Sequence, residues 1–141
     1  MTAPGPGSKR SLRPTRAARV RKRSEFDRIQ KGGRRVNTAH FVLIFAPGPA
    51  PSHPARLGIT ASRRIGGAVQ RNRAKRLIRA AFCVTAEIFS QGVDLVVIVR
   101  KPLGDLKLDE VVREWQAALP AIRKRLKEVA AACAERPVGQ E

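Results

Sequence analysis

One stretch decides most of what this chain can become: Ile65-Gly-Gly-Ala-Val-Gln-Arg-Asn-Arg-Ala-Lys-Arg-Leu-Ile-Arg-Ala-Ala-Phe82. It opens on a Gly-Gly turn and then runs on without a helix breaker. At about 100° per residue, Arg71, Asn72, Arg73, Lys75, Arg76 and Arg79 fan across roughly 200° of a helix surface. Ala74, Leu77, Ile78, Ala81, Phe82, Thr85, Ile88 and Phe89 fill most of the remaining arc, and the two sets hardly mix. An ordinary solvated face mixes signs, because like-charge pairs three or four residues apart destabilise a helix by a few tenths of a kcal/mol. Here Arg71/Lys75 and Lys75/Arg79 are such pairs, with no acid to offset them. The pattern reads as a helix anchored on one side and presented to phosphates on the other. A plain solvated face is the simpler alternative.

The charge distribution points the same way. Of the 29 Lys and Arg in 141 residues, 20 lie in residues 1–86 against two acids, Glu25 and Asp27. Residues 87–141 hold nine of each sign, so the whole excess of +18 belongs to the first three-fifths of the chain. Such segregation indicates an anionic partner, nucleic acid before membrane. No apolar run has the length of a signal sequence or a membrane span. Cys83 and Cys133 are too far apart for a zinc site, and they read as buried free thiols of a cytoplasmic protein. His40 and His53 are the only histidines, and no cluster of His, Cys, Asp or Glu has the spacing of a catalytic or metal site.

The length suits one domain. Residues 1–20 are poor in large apolar side chains and read as a disordered basic tail, 21–133 as a single nucleic-acid-binding domain, and 134–141 as a flexible tail. A short helix is expected after Ser24 as N-cap, ended by Gly32-Gly33, with Phe26, Ile29 and Gln30 on one face. Arg34 to Ala46 reads as strand. Phe41, Leu43 and Phe45 alternate on a core face, and Val42 and Ile44 on a second apolar face that needs a cover, from the first helix or a ligand. Further strands are expected over 56–62 and 94–100, the latter buried on both faces, and the basic helix over about 68–91. After Asp109 as N-cap, Val111, Val112, Trp115 and Leu119 repeat at helical spacing, and Ile122, Leu126, Val129 and Cys133 continue it beyond Pro120. Whether that is one helix or two stays open.

Arg71-Asn72-Arg73 and the residues after it resemble the signature of the bacterial ribonuclease P protein subunit. So do Leu57-Gly-Ile-Thr-Ala-Ser-Arg-Arg-Ile-Gly-Gly-Ala-Val69, Glu25-Phe-Asp-Arg-Ile29, Gly33-Arg-Arg-Val36, Phe41-Val-Leu43 and Asp94-Leu-Val-Val-Ile-Val-Arg-Lys101. The resemblance runs in order from about Arg21 to Leu119. It implies an endoribonuclease whose catalytic centre and Mg²⁺ belong to an RNA partner, with no catalytic residue in the protein. The protein would bind that RNA and precursor tRNA and promote removal of the 5′ leader, with no obligate protein partner. By position, Arg63, Arg64, Arg71, Asn72, Arg73, Lys75, Arg76 and Arg79 would bind RNA. Phe26, Gln30, Val42 and Ile44 would line a leader cleft between the sheet and the first helix. Positions 30 and 44, often aromatic in that family, are Gln and Ile here, which puts more weight on Phe26 and on charge. Asp94 and Arg100 read as structural groups.

The fold expected is α+β, a small mixed sheet with helices in an αβββαβα-like order. The first helix and the C-terminal helix would share one face, and the basic helix would bridge two parallel strands. General topology favours a right-handed crossover; the resemblance implies a left-handed one. A basic ribosomal protein binding rRNA remains the alternative, and a DNA-binding architectural protein a further one.

Overall fold

Alternation along the two most apolar segments organises the molecule. In the computed structural model, which describes residues 19, 20, 22–48, 53–89 and 92–134 with side chains as far as 131, β2 (Phe41–Pro47) and β4 (Val93–Val99) lie side by side, antiparallel. β1 (Arg34–Asn37) adds to the far side of β2, and β3 (Arg56–Thr60) runs parallel to β4, giving a four-stranded sheet of order β1-β2-β4-β3. β4 is central and apolar on both faces, as its unbroken Leu95–Val99 run requires. The basic helix α2 (Ala68–Val84) connects the parallel neighbours β3 and β4. The N-terminal α1 (Arg23–Gly32) and the C-terminal pair α3 (Leu108–Ala117) and α4 (Leu119–Ala134) complete the fold.

The sheet has a heavy face and a light one. Phe41, Leu43, Phe45, Leu57, Leu95 and Val97 meet α2, α3 and α4 through Ile78, Phe82, Val111, Trp115, Ile122 and Leu126. Phe89 stacks on Phe45 and Phe82 and meets Trp115 edge-on, so four of the five phenylalanines and the tryptophan lie in this one core. The light face holds Ile44, Ala46 and Val96 beneath Ile29 of α1, with Val20 beside them. The first helix and the C-terminal helices therefore take opposite faces, contrary to the expectation that they share one. The aromatic face needs three helices to cover it. The aliphatic face is closed by one helix with a single fully buried side chain, Ile29.

Several boundaries differ from the sequence reading, each for a local reason. The expected strand 34–46 is a hairpin, turned where Thr38 N–H donates to the Phe41 carbonyl at 2.8 Å and Phe41 N–H to the Thr38 hydroxyl at 3.1 Å. The basic helix ends at Val84 and not near 91, because the chain tightens there into a 3-10 turn, Ala86–Ile88, in which Ile88 N–H donates to the Thr85 carbonyl at 2.9 Å. Ser24 is not the cap of α1: Glu25 and Phe26 N–H already donate to the Lys22 carbonyl. α3 starts before Asp109, with the Glu110 carboxylate accepting from Lys107 N–H at 2.8 Å. Ala118 separates α3 from α4, so the C-terminal segment is two helices with Pro120 tolerated in the first turn of the second. Arg19 and Val20, placed with the tail in the sequence reading, bridge to Leu57 on the outer edge of β3. The remaining tail residues, 1–18 and 135–141, lie outside the described residues. Cys83 is half-buried on α2, where a buried thiol was expected, and the Cys133 side chain lies outside the described residues.

The hairpin turn is fastened from a distance. Glu114 of α3 accepts from the Thr38 hydroxyl, from His40 N–H at 2.8 Å and from His40 Nδ1 at 2.7 Å, and Arg100 donates to the Thr38 carbonyl at 2.6 Å. Burial alone would raise the Glu114 carboxyl, but the hydrogen bonds from Thr38 and His40 outweigh it and hold it below its ordinary 4.5. A depressed carboxyl stabilises the fold fully above that ordinary value and loses its contribution as pH falls through the folded one. Urea unfolding from neutral pH down to about pH 3 should show Glu114→Gln less stable by about 2 kcal/mol at neutrality, with the gap to the parent closing as acid protonates Glu114. A constant gap would mean the carboxylate charge is not what holds the turn.

Candidate nucleic-acid interface

The helix that carries the cations is held by what they are not. Ala74, Ile78, Ala81 and Phe82 of α2 are buried in the main core, leaving the opposite arc to Arg71, Asn72, Lys75, Arg76 and Arg79. Gly66 shapes the approach: its φ of 144° is a backbone geometry side-chain-bearing residues rarely adopt, and it turns the chain from a 3-10 turn at Arg63–Ile65 into α2. Arg63 and Arg64 are exposed on that turn, Asn72 and Arg76 are exposed on the helix, and Arg71, Lys75 and Arg79 are half-buried. The Arg71 Nε atom is buried and has no hydrogen-bond partner.

Arg73 behaves differently from its neighbours. Its guanidinium donates to the carbonyls of Gly104 at 3.0 Å and Leu106 at 2.5 Å, tying α2 to the loop before α3. Of the six helix positions expected to face RNA, this one is already engaged in holding the fold.

Beside α2 lies a cleft. Four light-face residues stand in register across the sheet next to α1: Asn37 and Val42 pair, Val42 and Ile98 pair, and Ile98 pairs with Thr60. None of the four is buried, whereas Ile44 and Val96 in the next row are fully enclosed beneath Ile29. Gln30 reaches over the edge of the open row, its side-chain amide donating to the Thr60 hydroxyl at 3.4 Å, and its backbone carbonyl accepts from the Arg35 guanidinium at 3.0 Å. Around β3 the cleft deepens into a depression of about 540 Å³, lined among others by Arg23, Phe26, Gln30, Thr60 and Lys75. A second hollow of about 250 Å³ adjoins it, with Phe26, Gly58, Ile59, Arg19, Lys75 and Arg79 on its walls. Lys75 and Arg79 of the basic helix thus border the same opening as α1.

Phe26 is the one phenylalanine outside the main core, and Gly58 makes room for it. A Cβ at Gly58 would stand 2.7 Å from the Phe26 ring, so the ring rests directly on β3 backbone. The structure brings together Phe26, Gln30, Lys75 and Arg79, and leaves Val42 half-buried in the open row. Ile44 is the exception among the expected cleft residues: with no exposed surface it supports α1 from below and presents nothing to a ligand. Thr60, Ile98 and Ile59 were missed. Their signal was the run of small residues Gly58, Thr60 and Ser62 on one side of β3, which is what an open sheet face beside a helix leaves room for.

The charged groups behind the cleft have structural work. Asp94, fully buried, accepts from Arg56 at 2.8 and 2.7 Å and from Arg28 at 2.9 Å. Arg56 also donates to Glu25 at 3.0 Å, and its guanidinium is pushed above its already high ordinary value, chiefly by the hydrogen bond to Asp94. Among the described residues no three His, Cys, Asp or Glu cluster so as to hold a metal ion, and no helix is long and apolar enough to cross a membrane.

A family model described as Ribonuclease P matches residues 15–131. The chain belongs to the ribonuclease P protein family. Curated relatives named "Ribonuclease P protein component" agree with this membership. That of Desulfovibrio desulfuricans is 37% identical over 109 residues, 77% of this chain and 83% of that protein. That of Desulfotalea psychrophila is 41% identical over 104 residues, 74% of this chain and 84% of that protein. The RNase P protein from Thermotoga maritima, solved in complex with 1-(4-fluorophenyl)-2-thiourea, superposes with a TM-score of 0.62 at 31% identity, covering 72% of this chain and 96% of that one. The Staphylococcus aureus RNase P protein gives 0.54 at 30% identity, covering 84% and 96%. The ribosomal-protein alternative has no comparable support.

The unequal roles on α2 have a measurable consequence. Arg73→Ala forfeits two hydrogen bonds and should lower the stability of the free protein by about 1–3 kcal/mol in urea denaturation. Arg76→Ala, at an exposed position, should stay within about 0.5 kcal/mol of the parent. Equal stability of the two variants would show that the Arg73 contacts to Gly104 and Leu106 do not support the fold.

Proposed function

We propose that this chain is the protein subunit of a ribonuclease P ribonucleoprotein, binding the catalytic RNA through Arg63, Arg64 and the cationic arc of α2 and the 5′ leader of precursor tRNA in the cleft beside α1. The observation that carries the reading is the shared opening: Lys75 and Arg79 of the RNA-facing helix border the hollow whose other wall is Phe26. A strand passing from the catalytic RNA's active centre into that cleft meets cations first and an aromatic next. Base–aromatic stacking on Phe26 is worth about 1–3 kcal/mol. Gln30, Thr60 and Asn37 offer neutral hydrogen-bonding groups along the open row, and Val42 and Ile98 an apolar floor. Asn72 and Arg76, exposed on the helix, supply donors to ribose-phosphate.

Hydrolysis of the phosphodiester is assigned to the RNA and its Mg²⁺. The donor set of the protein agrees with this division, because carboxylates suited to Mg²⁺ are scarce on a face dominated by Lys and Arg. What these side chains do is hold two polyanions together and offset their repulsion, which lowers the divalent-ion concentration the complex needs. The holoenzyme is assigned to the cytoplasm, and it needs no membrane and no obligate protein partner.

Adding the protein to the catalytic RNA at low Mg²⁺ should accelerate cleavage of precursor tRNA at the leader junction. Absence of any acceleration would remove the proposal. A ribosomal protein would instead sediment with a ribosomal subunit, and a DNA architectural protein would bind duplex DNA as tightly as the catalytic RNA.

The contact face predicts a steep salt dependence. With about six phosphates neutralised, affinity for the catalytic RNA should fall on the order of a thousandfold between about 50 and 200 mM monovalent salt. Replacing Lys75 and Arg76 together by Ala should reduce the slope by about two contacts' worth. A flat dependence would contradict the phosphate-face assignment.

A further inference from the structure

We infer that Glu25, Arg28, Arg56 and Asp94 form a charge-neutral positioning cluster that sets the seat of α1 on the sheet, and with it the geometry of the leader cleft. The inference rests on the reading of that cleft as the leader path. It starts from a shortfall in packing. Ile29 is the one buried residue of α1, and burying one such side chain is worth about 1.5–3 kcal/mol. A non-directional contact of that size holds the helix against the sheet without fixing its rotation or its position along the strands.

The cluster supplies the missing direction. Glu25 and Arg28, three apart, share one side of α1. Arg56 and Asp94 are register partners across β3 and β4. Arg56 grips both Asp94 oxygens, at 2.8 and 2.7 Å, and reaches up to Glu25 at 3.0 Å. Arg28 comes down to Asp94 at 2.9 Å and also donates to the Pro47 carbonyl at 3.0 Å, so α1 is bonded to β2, β3 and β4 at once. Phe26 is the neighbour of Glu25 on α1, and Gly58, beneath its ring, is two residues from Arg56 on the same face of β3. A slide or roll of α1 that moved Phe26 off Gly58 would break these bonds together.

The charges argue against a direct role in RNA contact. Two acids balance two bases, so the charges of Arg28 and Arg56 are compensated within the cluster. Glu25 is one of only two acids before Glu87. A carboxylate beside a polyanion's path weakens binding by its field, and here it is turned inward to Arg56. The four side chains act through α1 on Phe26 and Gln30, and they are positioning residues.

The test uses the protein assembled with its catalytic RNA and compares binding of precursor tRNA with mature tRNA, which has no leader. Asp94→Asn risks unfolding, so the readout rests on Glu25→Gln and Arg28→Gln, with Arg28→Lys as a conservative control. Glu25→Gln decides by sign. If the carboxylate acted only through its field, its loss would tighten precursor binding. The positioning cluster requires instead that the preference for precursor over mature tRNA fall by about tenfold, the equivalent of one charge-assisted hydrogen bond. Affinity for the catalytic RNA and its salt slope should be unchanged, and Arg28→Lys should keep more of the preference than Arg28→Gln. Tighter or unaltered precursor preference in Glu25→Gln overturns the inference. So does a shallower salt slope in Arg28→Gln, which would make Arg28 a phosphate contact, or an equal loss of catalytic-RNA affinity, which would make the cluster merely structural. If the parent protein itself fails to favour precursor over mature tRNA, the cleft reading falls first.

Discussion

A single enclosed carboxylate ties this molecule together. Asp94 has no solvent exposure and receives three hydrogen bonds from two arginines that arrive from different elements. Stripped of partners, a buried carboxylate would cost several kcal/mol. Satisfying it forces Arg56 at the start of β3 and Arg28 in the middle of α1 into one place. That requirement brings β3 alongside β4 in register and sets α1 across both. Because hydrogen bonding to Asp94 raises the Arg56 guanidinium above its already high ordinary value, no accessible pH discharges it.

The two faces of the sheet then divide the labour. The aromatic face is covered by three helices. The aliphatic face is covered by one helix too narrow to shield it, so the row Asn37, Val42, Ile98 and Thr60 remains open beside it. α2 lies on the sealed face but at its β3 margin, where Lys75 and Arg79 wrap round the edge and meet the hollow under Phe26. A cationic surface and a cleft on opposite faces of a sheet become continuous only because β3 is an edge strand.

What could be read from the sequence was what local pattern encodes. α2 was legible because acids are missing from one arc and Ala74, Ile78, Ala81 and Phe82 keep helical period on the other. β4 was legible because a buried central strand admits nothing polar between Leu95 and Val99. The hairpin at Thr38 was not, since Asn37-Thr38-Ala39-His40 contains no glycine or proline, and the turn is held by Glu114, more than seventy residues later in the chain. For the same reason Arg73 looked like its neighbours: the Gly104 and Leu106 carbonyls that claim it lie about thirty residues on. Ile44 could be assigned to the second face by alternation, but only the course of α1 decides whether a residue on that face is covered or open.

The anchoring of α2 explains how a surface so one-sided in charge can persist in a free protein. Repulsion between Arg71 and Lys75, or Lys75 and Arg79, costs only a few tenths of a kcal/mol per pair in water. Burying Ile78 and Phe82 returns about 1.5–3 kcal/mol each, so the core outweighs the repulsion with room to spare. Arg73 adds to the same side of the balance by pinning α2 to the loop ahead of α3. The helix is therefore held by groups on its inner side, and its outward cations stand at fixed spacing before any partner arrives. A flexible basic segment with the same charge would lose conformational entropy on binding that this helix has already lost on folding. The acid-free arc is tolerable because the fold is indifferent to it, and useful because the fold holds it still.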